Sequence, residues 1–196
     1  MPRKLRNTAQ GATHHCFTRC HGKKNKLMGK YGKIYFIESV KMCQEKYDFE
    51  LVASEIVANH MHLVVKTLKG KETVSMIMQY IKARIAEKYN SAMNETGAFW
   101  NERFGSTIIE ESEDPEDYLY KLLWYIGYNP VRKGLSKDPR NNEIGFINKY
   151  LKKDAQFPIK VTLHEYFYKL GNNFEECVEK FLKYEDAYRK RLSIIF

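Results

Sequence analysis

Residues 49–67 read Phe-Glu-Leu-Val-Ala-Ser-Glu-Ile-Val-Ala-Asn-His-Met-His-Leu-Val-Val-Lys-Thr, and this stretch decides the fold. It is rich in valine, isoleucine and other residues that favour strands. Asn59 lies near its middle, and asparagine favours turns. The stretch therefore predicts two strands, Phe49–Val57 and His60–Thr67, joined at a tight connection or bulge.

Strands and helices alternate around this pair. We predict a strand over residues 13–20, helices over 34–46 and 74–89, an extended segment over 98–104 and 107–110, and a helix over 112–129 with Asp114 as its N-cap and Pro115 in its first turn. The order is strand, helix, strand, strand, helix, strand, helix. This order is typical of an α+β fold, and we predict a ferredoxin-like or RRM-like sandwich with a mainly antiparallel sheet and helices packed on it.

The character of the chain changes after Pro130. Residues 135–158 are polar and rich in loop formers, and residues 163–195 carry a helical apolar pattern. We therefore divide the chain into an N-terminal region, residues 1–135, which carries the candidate sites described below, and a mostly helical C-terminal extension, residues 136–196.

Composition narrows the classes of function. The chain has 196 residues, of which 43% are hydrophobic, so it is expected to fold around an apolar core. Its formal net charge is +9, which predicts that it binds a polyanionic partner. Nucleic acid is the first choice and an anionic membrane surface the second. No apolar run is long enough to span a membrane, and the basic start, residues 1–6, lacks the apolar region of a secretory signal. We expect a cytoplasmic protein with reduced cysteines.

His60 and His62 form the first candidate site. Alternate residues of a strand project to the same face, so the two imidazoles are spaced to share a metal ion. Half-exposed histidines on strands are common without any ligand, but here residues 63–65 anchor the strand in the core. We favour the metal site over a purely structural pair.

Tyr125 and Asn129 form the second candidate site. On a helix they are four residues apart and share a face, as a nucleophile beside a metal ligand would. The chain has 14 tyrosines, so most of them serve packing or lie on the surface. Among the tyrosines of the same helix, Tyr128 is rotated by about 100° from Asn129, which favours Tyr125 as the nucleophile.

The third candidate site is a set of cations interleaved with aromatic rings, a combination that suits single-stranded nucleic acid. Any one of these side chains also fits a solvated surface or a core. The predicted DNA-binding residues are Arg19, Lys82, Arg84, Trp100, Arg103, Arg132 and Lys133.

Four segments together resemble the single-tyrosine HUH transposases, and most closely the branch of REP-associated tyrosine transposases. They are residues 59–65 with the histidine pair, residues 125–134 with the tyrosine, residues 14–19, and residues 99–104 with Trp100 and Arg103. The resemblance covers roughly residues 11 to 135. Ala58 stands where the family usually has proline, and His14 replaces the usual tyrosine, but neither change removes a catalytic group.

The resemblance implies a nuclease and strand transferase that acts on single-stranded DNA, often beside a hairpin. It implies that His60, His62 and Asn129 hold Mg²⁺ or Mn²⁺, whereas imidazole ligands alone would favour zinc, nickel or iron. It also implies that Tyr125 forms a 5′-phosphotyrosine, and that the protein is a homodimer. Two other functions stay open: a domesticated protein that binds DNA hairpins without cleavage, and a metal-dependent phosphodiester hydrolase that activates water.

Overall fold

The computed structural model describes residues 7–195. The basic stretch of residues 1–6, on which the expectation about a signal segment rested, lies outside the described residues. No helix in the described range is long and apolar enough to cross a membrane.

The chain forms four strands and seven α-helices within the described range. In chain order they are β1 (Thr13–Arg19), α1 (Gly29–Lys46), β2 (Phe49–Val57), β3 (His60–Thr67), α2 (Val74–Met93), β4 (Gly105–Ile108), α3 (Pro115–Gly127), α4 (Asn129–Arg132), α5 (Ile147–Leu151), α6 (Glu165–Tyr168) and α7 (Phe174–Ile195).

The four strands form one antiparallel sheet in the order β2-β3-β1-β4. This arrangement and the helices packed on it confirm the predicted α+β sandwich. In the register of β1 against β3, Phe17 lies opposite His62 and Arg19 opposite His60. Because directly opposed residues share a face, these four side chains project to the same side of the sheet.

Each face of the sheet is covered by its own apolar cluster. On one face Met61, Leu63 and Val65 pack with α1 and α2. On the other face Val52, Ala53 and Val64 pack with α3 and with residues of the C-terminal extension. The alternation of β3 thus places His60 and His62 on the face that α3 covers.

The C-terminal extension holds α3 in place. The fully buried Trp124 stacks on Phe181 of α7, with ring centroids 4.8 Å apart, and its indole N–H donates to the Phe181 carbonyl at 2.9 Å. Gly127 lies so close to α5 that a Cβ there would come within 2.5 Å of Ile147 Cγ1. Residues on both sides of position 136 therefore share one apolar cluster.

The extension also covers the outer edge of β2. The Thr162 amide donates to the Leu51 carbonyl at 2.8 Å, and the Tyr150 hydroxyl donates to the Val52 carbonyl at 3.1 Å. Asn142 donates to Glu55 Oε1 at 2.8 Å, while burial raises the pKa of Glu55 well above its usual value. Such contacts satisfy backbone groups that an edge strand otherwise exposes.

Two segments differ from the sequence prediction. Residues 98–104 form only an isolated bridge, between Trp100 and Cys20, and the strand lies later, at Gly105–Ile108. Residues 135–158 contain helix α5 and five buried apolar side chains, those of Pro139, Ile144, Phe146, Ile147 and Tyr150. These residues are buried by contacts with distant elements, so no local periodicity marks them.

The four cysteines are buried, and none of them forms a disulfide. Burial raises the pKa of Cys20 to about 11 and that of Cys43 to about 12, which keeps both thiols protonated. This agrees with the expectation of reduced thiols packed as small apolar groups.

The turn between β2 and β3 has an unusual backbone. Ala58 has a φ of +50°, in the left-handed region that side chains with a Cβ rarely adopt. The carbonyls of this turn are engaged, since Leu27 N donates to Ala58 O at 2.9 Å and Cys20 N donates to Asn59 O at 2.8 Å. A proline cannot take a positive φ, so the turn of this chain differs from one built with proline at this position.

We predict that Ala58→Gly raises the free energy of unfolding by up to about 1 kcal/mol, because glycine relieves the cost of the left-handed backbone. Ala58→Pro should lower it strongly, because the ring fixes φ near −65°. Urea unfolding monitored by circular dichroism measures both changes. Ala53→Gly, in the extended backbone of β2, is the matched control and should be destabilising. A stabilising Ala58→Pro would contradict the strained turn.

Candidate active site

His62 is the centre of the candidate site. It lies on β3, is 9% exposed, and packs edge-on against Tyr125 of α3, with ring centroids 6.1 Å apart and planes at 86°. His60 lies two residues earlier on the same strand and is half-buried. The structure therefore brings the predicted nucleophile and the histidine strand together within one chain.

His15 of β1 joins this group, although the sequence did not indicate it as functional. Its Nε2 lies 3.1 Å from His62 Nδ1, and the two rings stack with centroids 5.4 Å apart and planes at 14°. The strand pattern places His15 on one face of β1, but only the register of β1 against β3 brings it to His62. The sequence does not reveal this register, so the contact between His15 and His62 could not be predicted from it.

The imidazoles of the site are held neutral. Burial lowers the pKa of His62 to about 3, with further lowering from His15, His60 and Arg132, and burial lowers that of His15 to about 4. The pKa of His60 is also lowered, first by burial and then by Arg19 and Lys133. A neutral imidazole is the form that binds a metal ion.

The available donor atoms fit a divalent cation. The bond to His15 engages His62 Nδ1 and leaves Nε2 as the ring nitrogen that can bind a metal. Asn129 donates its Nδ2 to the Tyr125 carbonyl at 3.1 Å, which leaves its Oδ1 as an acceptor. Within residues 7–195, His, Cys, Asp and Glu form no group of three or more that could hold a metal. The predicted set of His60, His62 and Asn129 would offer a metal two imidazole nitrogens and one amide oxygen.

Among the tyrosines of the Tyr125 helix, Tyr125 is the exposed one, at 36%. The hydroxyl of Tyr120 is bonded to the Tyr166 carbonyl at 2.6 Å, and that of Tyr128 to Glu185 at 2.6 Å. Both rings are buried, and burial raises the pKa of each phenol. The Arg132 guanidinium lies 5.2 Å from the centre of the Tyr125 ring. Accessibility and position both favour Tyr125 as a nucleophile.

The predicted DNA-binding residues separate into two groups. Arg19, Arg132 and Lys133 lie close enough to the histidines to lower their pKa values. The other four lie on α2 and on the segment that follows it: they are Lys82, Arg84, Trp100 and Arg103.

Within the second group, internal contacts engage most of the side chains. The Trp100 indole donates to the Lys82 carbonyl at 2.9 Å, and Lys82 Nζ donates to the Glu102 carbonyl at 2.8 Å. Arg84 pairs with Glu87 at 2.8 Å, and Arg103 is exposed. The Asn101 amide donates to the Arg19 carbonyl at 2.9 Å, so this segment adjoins the end of β1 at the candidate site.

Known proteins with a similar sequence are transposases. A family model described as "Transposase IS200 like" matches residues 8–121, which include the histidine strand and end before Tyr125. A curated REP-associated tyrosine transposase from Haemophilus influenzae is 28% identical over 109 residues, which are 50% of this chain and 59% of that protein. This chain thus spans less than two thirds of that relative's length.

A solved structure shares the fold. It is described as a REP-associated tyrosine transposase bound to a REP hairpin, and it matches with a TM-score of 0.61 and 16% identity. The match covers 84% of this chain and 94% of that one. The common fold therefore extends beyond the segment of the family model into the C-terminal extension.

The lowered pKa values predict a pH dependence of stability. Below about pH 6.5 an unfolded histidine binds a proton, whereas folded His15 binds one only near pH 4. The free energy of unfolding should therefore fall as pH drops through this window, by up to about 1.4 kcal/mol per pH unit for each such histidine.

His15→Gln should make the free energy of unfolding depend less steeply on pH. Urea unfolding at a series of pH values measures this slope. An unchanged slope for His15→Gln would contradict the buried neutral ring.

Proposed function

The chain belongs to the IS200-like transposase family, and we propose that it is a metal-dependent single-stranded DNA endonuclease and strand transferase in which Tyr125 is the nucleophile. The observation that carries the proposal is the exposed Tyr125 phenol ring packed against buried, neutral His62 of the same chain. A nucleophile beside candidate metal ligands is the arrangement that phosphoryl transfer requires.

The proposed reaction proceeds by two transfers. Tyr125 Oη attacks the scissile phosphorus and loses its proton to solvent, while the 3′-oxygen leaves and takes up a proton. The product is a 5′-phosphotyrosine and a free 3′-hydroxyl. A second 3′-hydroxyl can then attack the phosphotyrosine, so the energy of the phosphodiester bond is kept and no ATP is needed.

His60, His62 and Asn129 would hold the cation, which we propose to be Mg²⁺ or Mn²⁺. When bound, it would polarise the phosphate and offset the charge of the transition state. The amide oxygen of Asn129 suits these hard ions better than a purely imidazole site does. Arg132, which lies over the Tyr125 ring, would add positive charge beside the phosphate.

We propose that the substrate is single-stranded DNA or DNA flanked by a hairpin, as the resemblance to REP-associated tyrosine transposases implies. Support comes from the net charge of +9 and from the solved relative described as bound to a REP hairpin. Arg19, Arg132 and Lys133 would contact phosphates next to the cleavage site. The four side chains on α2 and its following segment would contact DNA farther away.

A homodimer stays a prediction. The extension covers part of the outer edge of β2, which leaves the short strand β4 as the edge through which two sheets could join. The division at residue 136 and the cytoplasmic location also stay predictions.

Tyr125→Phe should abolish the covalent protein–DNA adduct with little change in stability, because it removes one exposed hydroxyl and keeps the ring. Tyr128→Phe should keep the adduct but lower the thermal stability, because it leaves Glu185 and Arg189 without their bond to the buried phenol. Denaturing gels with labelled single strands and Mn²⁺ measure the adduct.

An adduct from Tyr125→Phe but not from Tyr128→Phe would assign the nucleophile to Tyr128. Cleavage by both variants without any adduct would favour the water-activating hydrolase, and DNA binding without cleavage by the wild type would favour the hairpin-binding protein.

His62→Gln and Asn129→Ala should each weaken Mn²⁺ binding, because each removes a proposed ligand atom. His15→Phe should weaken it by about 10- to 100-fold, since it removes the partner that orients His62. Electron paramagnetic resonance of free Mn²⁺ measures these affinities without DNA, with His21→Gln as the control. Equal Mn²⁺ affinity in the wild type and all three variants would refute the metal site.

A further inference from the structure

A pocket of about 360 Å³ lies beside Tyr125, between α3 and α7. One wall comes from α3, where Tyr118, Lys121 and Tyr125 are spaced by three and four residues and share a face. The opposite wall comes from α7, where Tyr184, Ala187 and Arg191 have the same spacing. This second wall lies outside the segment that the family model matches.

The rings of the α7 wall are held in place from behind. Tyr184 packs against Tyr120 with centroids 5.0 Å apart, and Tyr188 packs against Tyr128 with centroids 5.1 Å apart. Tyr120 and Tyr128 are themselves buried and hydrogen-bonded. The aromatic surface is therefore organised before any ligand arrives, and the small Ala187 leaves space in front of it.

The rim of the pocket carries cations. Lys121 and Arg191 are both exposed there, with Lys121 paired to Asp117 one turn earlier. Arg132 lies nearby over the Tyr125 ring. A ligand with a flat apolar body and an adjoining negative charge would match these walls and this rim.

We infer that this pocket binds one unpaired nucleobase of the DNA strand, beside the phosphate that Tyr125 attacks. The inference rests on the proposed function for the position of that phosphate. A strand that presents a phosphodiester to Tyr125 must place a neighbouring nucleotide within a few ångströms, and Tyr125 is itself part of the pocket wall. Aromatic walls accept the face of any base, whereas a base pair within a duplex does not offer its face.

The inference gives the C-terminal extension a direct role in DNA binding. Helix α7 would hold the strand on one side of the cleavage site, in addition to holding α3. This pocket would increase the affinity for single-stranded DNA, because only an unpaired base can enter it. Stacking is tolerant of sequence, so the pocket would not select one base over another.

Filling the pocket tests the inference. Ala187 is exposed on α7 and lines the pocket, so Ala187→Trp places an indole in the space that the base would occupy. Ala9→Trp is the matched control, because Ala9 is exposed and its carbonyl accepts from Thr67, at the opposite end of β3 from His60. Circular dichroism melting confirms that both variants fold.

The measurement is fluorescence anisotropy of the full chain with labelled single-stranded oligonucleotides that carry one abasic position in turn. The oligonucleotide is the one on which the wild type forms its adduct or, if none does, the tightest binder of a mixed-sequence panel. For the wild type, one abasic position should weaken binding by about 10-fold or more. Ala187→Trp should weaken binding of the intact strand by a similar factor, and the abasic position should then have no further effect. Ala9→Trp should behave like the wild type.

The outcomes separate the inference from the proposed function. If the wild type forms the adduct but Ala187→Trp shows the wild-type affinity and abasic profile, the nucleobase pocket is wrong and the tyrosine mechanism stands. If no adduct forms but Ala187→Trp still removes one abasic effect, the pocket stands and the proposed reaction fails. Absence of single-strand binding by the wild type overturns both.

Discussion

The packing of helix α3 against helix α7 is the interaction on which the rest of the site depends. Tyr120, Trp124 and Tyr128 are spaced by four residues and form the stripe that contacts α7, through Tyr184, Phe181 and Tyr188. Loss of a buried tryptophan of this kind costs about 3–5 kcal/mol. Tyr125 follows Trp124 directly and is turned by about 100°, so fixing the tryptophan also fixes the direction of the phenol. The extension thus determines how the tyrosine meets the histidine strand.

Burial and charge act together at the site. The sheet and α3 exclude water from His15 and His62, and this burial keeps both rings uncharged. Around them lie cations that remain near the surface, Arg19, Arg132 and Lys133. Neutral nitrogen ligands surrounded by positive charge bind a cation more tightly when an anionic ligand joins them, and a phosphodiester supplies that charge. The electrostatics of the chain's own residues therefore match the binding of a phosphate strand.

Much of the fold could be predicted because its signals are local. The strand-forming residues around the turn at Ala58 and Asn59 define both central strands, and Asp114 followed by Pro115 marks the start of α3, where the Asp114 side chain accepts from the Asp117 amide at 3.0 Å. The contact between His15 and His62 could not be predicted, since it depends on strand register. Helix α5 depends on contacts between residues far apart in the chain, which leave no periodic pattern. The apolar pattern of residues 163–195 predicted the helix α7, but the pocket that α7 forms with α3 depends on how the two helices pack. The predicted ligands and nucleophile came from the alternation of the histidine strand, from the helical spacing of Tyr125 and Asn129, and from the family resemblance. The structure adds the packing of Tyr125 against His62.

A mixing experiment tests most directly whether a single chain supplies both the histidines and the tyrosine of one site. His62→Gln and Tyr125→Phe chains are unfolded together, refolded together and incubated with single-stranded DNA and Mn²⁺, beside refolded wild type. The structure places His62 and Tyr125 of one chain in contact. The wild type should therefore form the covalent adduct while the mixture forms none. An adduct restored in the mixture would show that the tyrosine acts at the histidines of another chain, and it would contradict this account.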